Sequence, residues 1–231
     1  MTLIAMQPRD WQHARMKPFV FAFVALLSLG LAVSGAGDEK AQQLAKEVWR
    51  ASGGEHWPTV SEIRFTFIVE QDGKQLASAE HHWNVAAGTD HVKWKGKEVT
   101  VNLKSPAQDE ESKAAYGRWI NDSYWLLAPL KVLDPGVKLT HEGMKESEGV
   151  QCETLRLGFE QVGLTPGDQY LLYIDPETKL VRAWDYIPKP ESVSHGTWEK
   201  YETFGPLKLA TEHNFGGKMI RFADVEVKTA K

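Results

Sequence analysis

Histidines and carboxylates are where chemistry would start in this sequence. His81 and His82 are adjacent, and His91 follows across the next turn signal. Neighbouring residues of a strand point to opposite faces, so His81 and His82 cannot readily hold one ion. His81 and His91 could approach across a hairpin, but a closed metal site needs three or four ligands and none completes the set. No metal and no cofactor are expected. Asp134, in "LDPG", and Asp185, in "VRAWDYIP", lie beside apolar segments. General acid work by either needs a raised pKa and a partner, and the spacing supplies neither. Asp134 reads as a turn residue ahead of Pro135-Gly136. There is no G-x-S-x-G, no phosphate-cradling glycine loop and no H-E-x-x-H. The one cysteine, Cys152, falls in an apolar strand pattern and reads as a packed thiol, with no disulfide framework. An enzyme is not expected; a hydrolase or metal-dependent enzyme is the weaker alternative.

The elements around these residues change period along the chain. Residues 38–50, "DEKAQQLAKEVWR", set Leu44, Val48 and Ala51 on one helical face, with acids in the first turn and Gly53-Gly54 as the stop. From Ile63 the period is two: Ile63, Phe65, Phe67 and Val69 alternate with polar neighbours, and "QDGK" marks a hairpin. Strands are expected near 63–69, 76–85, 91–94, 99–103, 137–142, 150–160, 168–175, 179–187, 196–204, 207–216 and 218–228. Turn residues such as "KESEG", "LTPGD" and "DPETK" separate them. The fold class is mainly β with some helix: about eleven antiparallel strands in one meander, suggesting a sandwich or barrel whose sheet must curl or be covered.

The N-terminus reads as a secretory signal. Met16-Lys17-Pro18 opens a charged region, an apolar run follows to Val33, and Ser34-Gly35-Ala36 supplies small cleavage residues. Residues 1–36 are taken as the signal peptide, with Met16 as the true start, and 37–231 as one domain, exported to the periplasm or beyond. The whole chain carries a net charge of −4 and the signal segment is basic, so the exported part is mildly acidic. Nucleic-acid binding is not expected.

The most apolar stretch after the signal is Asn121–Leu139, "NDSYWLLAPLKVLDPGVKL". Residues 111–122 read as a helix. Asn121 or Asp122 then reads as the cap of a second, short helix starting at Ser123. An apolar connection cannot stay in water, so it must cover something. It either plugs a dry core or closes over an apolar ligand.

Two stretches carry a family resemblance: Trp119–Leu139 and "VGLTPGDQYLLYIDPETKLVRAWDY", Val162–Tyr186. They resemble secreted proteins of the outer-membrane lipoprotein-sorting type, related to the periplasmic lipoprotein-carrier superfamily of the LolA/LolB type. That resemblance implies an N-terminal helix, an incomplete barrel of about eleven strands, and mid-chain helices acting as a lid over an apolar, acyl-binding surface. On that reading Tyr124, Trp125, Leu126, Leu127, Leu130 and Leu133 line the lid. Phe65, Phe67, Trp83, Tyr170, Leu172 and Trp184 form the wall. The carriers switch between open and closed states with an Arg in the barrel, and Arg64 and Arg118 are the candidates here. The implied partners are a lipid or acylated lipoprotein and a membrane-bound donor or acceptor protein. The chain is expected to be a monomer. A dry-cored structural or sensory module, working through a protein partner, is the alternative function.

Overall fold

The computed structural model describes residues 36–159, 165 and 167–230. The expected signal segment, apart from Ala36, and Leu164 and Pro166 of the turn expected over residues 164–168 lie outside the described residues.

Helix α1 spans Ala36–Ala51 and buries Ala41, Leu44, Ala45 and Val48. Gly53, at φ 86, allows the chain to turn there, because a side chain would be strained in that left-handed conformation. It could not be accommodated in any case, since a Cβ would sit 2.2 Å from the Pro206 carbonyl. A 3₁₀ turn, Gly54–Thr59, leads into β1, Val60–Gln71. Then come β2, Lys74–Asn84; β3, Thr89–Trp94; and β4, Lys97–Asn102. Helix α2, Glu110–Lys131, crosses to the second set of strands. These are β5, Val137–Ser147; β6, Val150–Phe159; β7, Gln169–Ile174; β8, Val181–Lys189; β9, Ser192–Thr197; β10, Glu199–Phe204; β11, Leu207–Phe215; and β12, Lys218–Thr229.

The sheet is antiparallel and twelve-stranded, in the order β4-β3-β2-β1-β12-β11-β9-β8-β7-β6-β5, with β10 paired to β11 beside that path. It is not closed into a barrel; β4 and β5 end the order. Two expectations change. The single meander is two strand runs joined where the last strand returns to pair with the first. The strand expected over 196–204 is two, broken at Trp198, whose amide donates to the Arg182 carbonyl at 2.7 Å. The chain there leaves β8 for β11, and the sheet forks.

The second helix expected at Ser123 is not a separate element. Helix α2 is continuous through Asn121 and Asp122, and its N-cap is Asp109, whose carboxylate accepts from the Ser112 amide at 2.9 Å. Asp122 caps nothing. Its side chain is turned into the protein, where other groups answer its charge, so the helix need not restart. Pro129 comes within the last turn, where losing one backbone donor interrupts little.

Alternation decides which side chains α2 covers. Phe65 pairs with His81 and Ile63 with Trp83, so β1 and β2 present these on one face. Leu155, Leu172 and Trp184 align across β6, β7 and β8. Gly196 on β9 lies opposite both Trp184 and Phe215. A Cβ there would come 2.6 Å from the Phe215 ring and 3.1 Å from Trp184 Nε1. Gly196→Ala is therefore expected to cost about 1–3 kcal/mol through overpacking. A lower urea midpoint at unchanged slope would show it. The other face carries a smaller cluster of Cys152, Leu171, Tyr173 and Ala183, so the cysteine is a packed thiol as expected.

Candidate functional site

Helix α2 brings its apolar side onto the covered face of the sheet. Trp125 packs against Trp184 with ring centroids 4.5 Å apart, against Phe215 at 5.2 Å and against His213 at 5.5 Å. Tyr124 lies 5.3 Å from Tyr170 and stacks on Trp184 at 5.9 Å. Leu126, Leu127 and Leu130 are buried in the same core, and Leu133 packs at its margin. All six residues expected on the lid therefore lie in or against the core that the sheet shares. All six expected on the wall, Phe65, Phe67, Trp83, Tyr170, Leu172 and Trp184, are buried in that core. Trp83 reaches α2 through Trp119, with centroids 5.2 Å apart. The space directly beneath Trp125 is filled by Trp184, His213 and Phe215.

A buried charged cluster ties α2 to the sheet. His81 Nδ1 donates to Asp90 Oδ2 at 2.7 Å, and His81 Nε2 donates to Asp122 Oδ2 at 3.2 Å. Side-chain exposure is 0% for His81 and Asp90 and 1% for Asp122. Asp122 also accepts from Arg118 Nη1 at 3.3 Å and from Asn121 Nδ2 at 2.8 Å. Phe65 stacks on the imidazole at 4.6 Å, a cation–π contact when the ring is charged. Burial alone would lower the His81 pKa. The hydrogen bonds and charges of Asp122 and Asp90 outweigh it and push it up to about 9.

His213 has the opposite environment. Its Nδ1 donates to the Thr197 carbonyl at 3.1 Å, its ring is fully buried, and burial pushes its pKa down to about 3. The two histidines set opposite slopes of stability against pH. His81 is raised, so its contribution is complete below the unfolded value near 6.5 and is lost as pH rises through about 9. His213 is depressed, so its contribution is present above 6.5 and is lost as pH falls towards about 3. Stability from these two groups is expected to peak near pH 6.5. His213→Phe should flatten the acid side of a urea-midpoint profile, and an unchanged acid slope would refute the assignment.

Other expected residues lie elsewhere. Arg64 is exposed and pairs in register with His82, on the face away from α2. Of the two switch candidates only Arg118 joins the charged cluster, through Asp122. His81 and His91 do not meet. The register sets His82 opposite His91 and His81 opposite Val92. His91 instead bonds Thr100 and Glu98, both at 2.8 Å. Asp185 binds His195 at 2.6 Å and Tyr173 at 2.8 Å, and Asp134 accepts from Lys131 at 2.9 Å. His81, Asp90 and Asp122 as a unit were not anticipated. The signal was there: His81 shares the parity of Ala79 and Trp83, and Asp90 that of Val92 and Trp94.

A cavity of about 560 Å³ occupies the fork of the sheet, between the β5–β6 and β7–β8 turns and the start of β10. Trp198, Leu180, Val181 and Tyr201 supply its apolar lining.

No protein-family model matches the sequence, and no curated relative does so. Solved structures do. A DUF1329 family protein from Desulfovibrio piger superposes with a TM-score of 0.50 at 10% identity, over 84% of this chain and 95% of that one. A putative outer membrane lipoprotein-sorting protein domain from Vibrio parahaemolyticus gives 0.49 at 11% identity, over 84% and 94%. A LolA superfamily protein from Nitrosomonas europaea gives 0.48 at 8%, over 83% and 94%. At such identities the likeness to the Desulfovibrio piger protein is one of fold alone. The chain shares the fold of that protein, and its N-terminal helix, its antiparallel sheet left open and its mid-chain helix across one face are elements that the sequence resemblance implied.

Proposed function

We propose that this protein is a non-enzymatic binding protein, with α2 as a lid that lifts to admit an acyl chain or similar apolar group against the sheet. The observation that carries the reading is the buried charge between lid and sheet. A permanent plug is held at least as well by apolar residues of the same volume, because burying an ion pair costs desolvation. Charged groups recover hydration when the contact opens, which lowers the cost of separating α2 from the sheet. His81, Asp122 and Asp90 thus suit a contact that closes and reopens. Apolar burial, worth roughly 0.8 kcal/mol per CH₂, would hold the chain without a charged contact. The expected signal segment supports a protein working outside the cytoplasm, receiving a lipid or acylated lipoprotein from a membrane-bound donor and passing it to an acceptor.

Native mass spectrometry of the purified protein tests this. Retained lipid, or uptake of an added fluorescent fatty acid, is expected. Trp125→Asp and Leu127→Asp should abolish uptake while far-ultraviolet circular dichroism still reports a sheet. A wild-type protein that neither retains nor takes up such a chain sinks the reading. The filled space beneath Trp125 favours a second one: a dry-cored module acting through a protein partner. In that case the two Asp variants lose stability and uptake is absent from the start.

A further inference from the structure

Five buried aromatic nitrogens meet no hydrogen-bond partner among the described residues, and three of them, Trp184 Nε1, Trp198 Nε1 and His213 Nε2, belong to rings in contact with one another. All three side chains are nearly fully buried, at 1%, 3% and 0% exposure. Their rings touch in series, Trp184 to Trp198 at 5.1 Å and Trp198 to His213 at 4.5 Å. Trp125 of α2 covers Trp184 and His213. Trp198 also lines the fork cavity, so the ring series has an open side, and Ser147 on that lining likewise leaves its buried hydroxyl without a partner. Buried polar atoms are normally satisfied, so a group of unmet ones under a lid describes what belongs there.

Their hydrogen-bond roles narrow the chemistry. An indole Nε1–H only donates, so both tryptophans require an acceptor. His213 commits Nδ1–H to the Thr197 carbonyl, so Nε2 presents a lone pair and requires a donor. A hydroxyl does both, since its oxygen accepts while its hydrogen is donated. A carboxylate cannot donate to His213, an ammonium cannot accept from the indoles, and an ether cannot donate. Charge agrees with this. The cavity's Arg182 faces Asp175 at 3.6 Å and its Lys200 faces Glu212 at 3.2 Å, while Glu148 and Glu199 also line it. An anion gains no net attraction there.

We propose, resting on the binding reading above, that the ligand carries an uncharged hydroxyl at its buried end, taken by Trp184, Trp198 and His213. The class is a long-chain alcohol or hydroxyl-bearing lipid rather than a free fatty-acid anion.

The test is displacement of the neutral dye N-phenyl-1-naphthylamine from the full chain by 1-dodecanol, dodecyl methyl ether and laurate at pH 7.5. Dodecanol should displace half the dye at about fivefold lower concentration than the ether, roughly one hydrogen bond or 1 kcal/mol. It should also act at least about tenfold below laurate, which lacks a donor and must be desolvated as an ion. In His213→Phe, dodecanol and the ether should become equal. If all three displace dye and the ether or laurate matches dodecanol, the hydroxyl preference is overturned while apolar binding stands. A preference that persists unchanged in folded His213→Phe and Trp198→Phe overturns it as well. If dye does not bind at all, the binding reading itself fails. Should the variants not fold, the wild-type comparison of alcohol with ether decides.

Discussion

Replacing His81 with Leu is expected to lower the unfolding free energy by about 3–5 kcal/mol, the usual cost of breaking a buried ion pair by removing one partner. The volume is nearly conserved, so the loss is not a cavity effect. It comes from leaving the Asp90 and Asp122 carboxylates buried without the imidazolium between them. Asp90 Oδ1 already has no partner, so that residue holds no reserve. Asp122 retains Arg118 and Asn121, which keeps the loss towards the lower end. The variant should also lose the decline in stability that wild type shows as pH rises through about 9. Asp122→Asn should move the alkaline decline to lower pH, because His81 then keeps one charged partner. Urea unfolding across pH 5 to 10 reads all three proteins. A His81→Leu protein as stable as wild type, with the same profile, would show that the cluster contributes nothing to holding α2.

Trp184→Ala should cost about as much, roughly 3–5 kcal/mol. Trp184 is 1% exposed and touches four other aromatic rings. These are Tyr124, Trp125, Tyr170 and Trp198, at 5.9, 4.5, 4.8 and 5.1 Å. Two of the four belong to α2, so the deletion loosens helix and sheet together. The neighbours are rings held in β7, in α2 or at the break between β9 and β10, and cannot all collapse inward, which places the cost high in the range. The gap left is apolar and indole-sized. Millimolar indole should raise the melting temperature of Trp184→Ala and leave wild type unchanged. No rescue, together with a loss below about 1 kcal/mol, would mean that the core repacks freely and that Trp184 is no hub.

Most of the architecture was legible because period-two alternation is a local signal. Ile63, Phe65, Phe67 and Val69 declare a strand by themselves, and "QDGK" declares its turn. The register between distant strands has no such signal. Nothing near Val60 or Thr229 states that β1 and β12 pair, so a run of hairpins was the natural reading. The continuous α2 was hidden by Asn121-Asp122-Ser123, residues whose side chains suit a cap as well as a helix interior. Which role wins depends on a histidine 41 positions earlier in the chain. The residues expected on lid and wall were legible as large apolar groups, and they lie in or against the core. The charged cluster beneath them was not, because an Asp or His in a strand reads as a surface residue until its partners are known.

The pairing of first strand with last also governs how the molecule comes to exist. Ser61 donates to the Lys228 carbonyl across a separation of 167 residues. Until β12 arrives, β1 and β11 are open edges flanked by apolar side chains, each able to recruit a strand from another molecule. Contacts this distant in sequence make folding slow, on the scale of milliseconds to seconds. Strand β12 therefore acts as the closing clasp. A chain shortened before Lys218 should collapse into two half-sheets and aggregate rather than fold with a weakened edge.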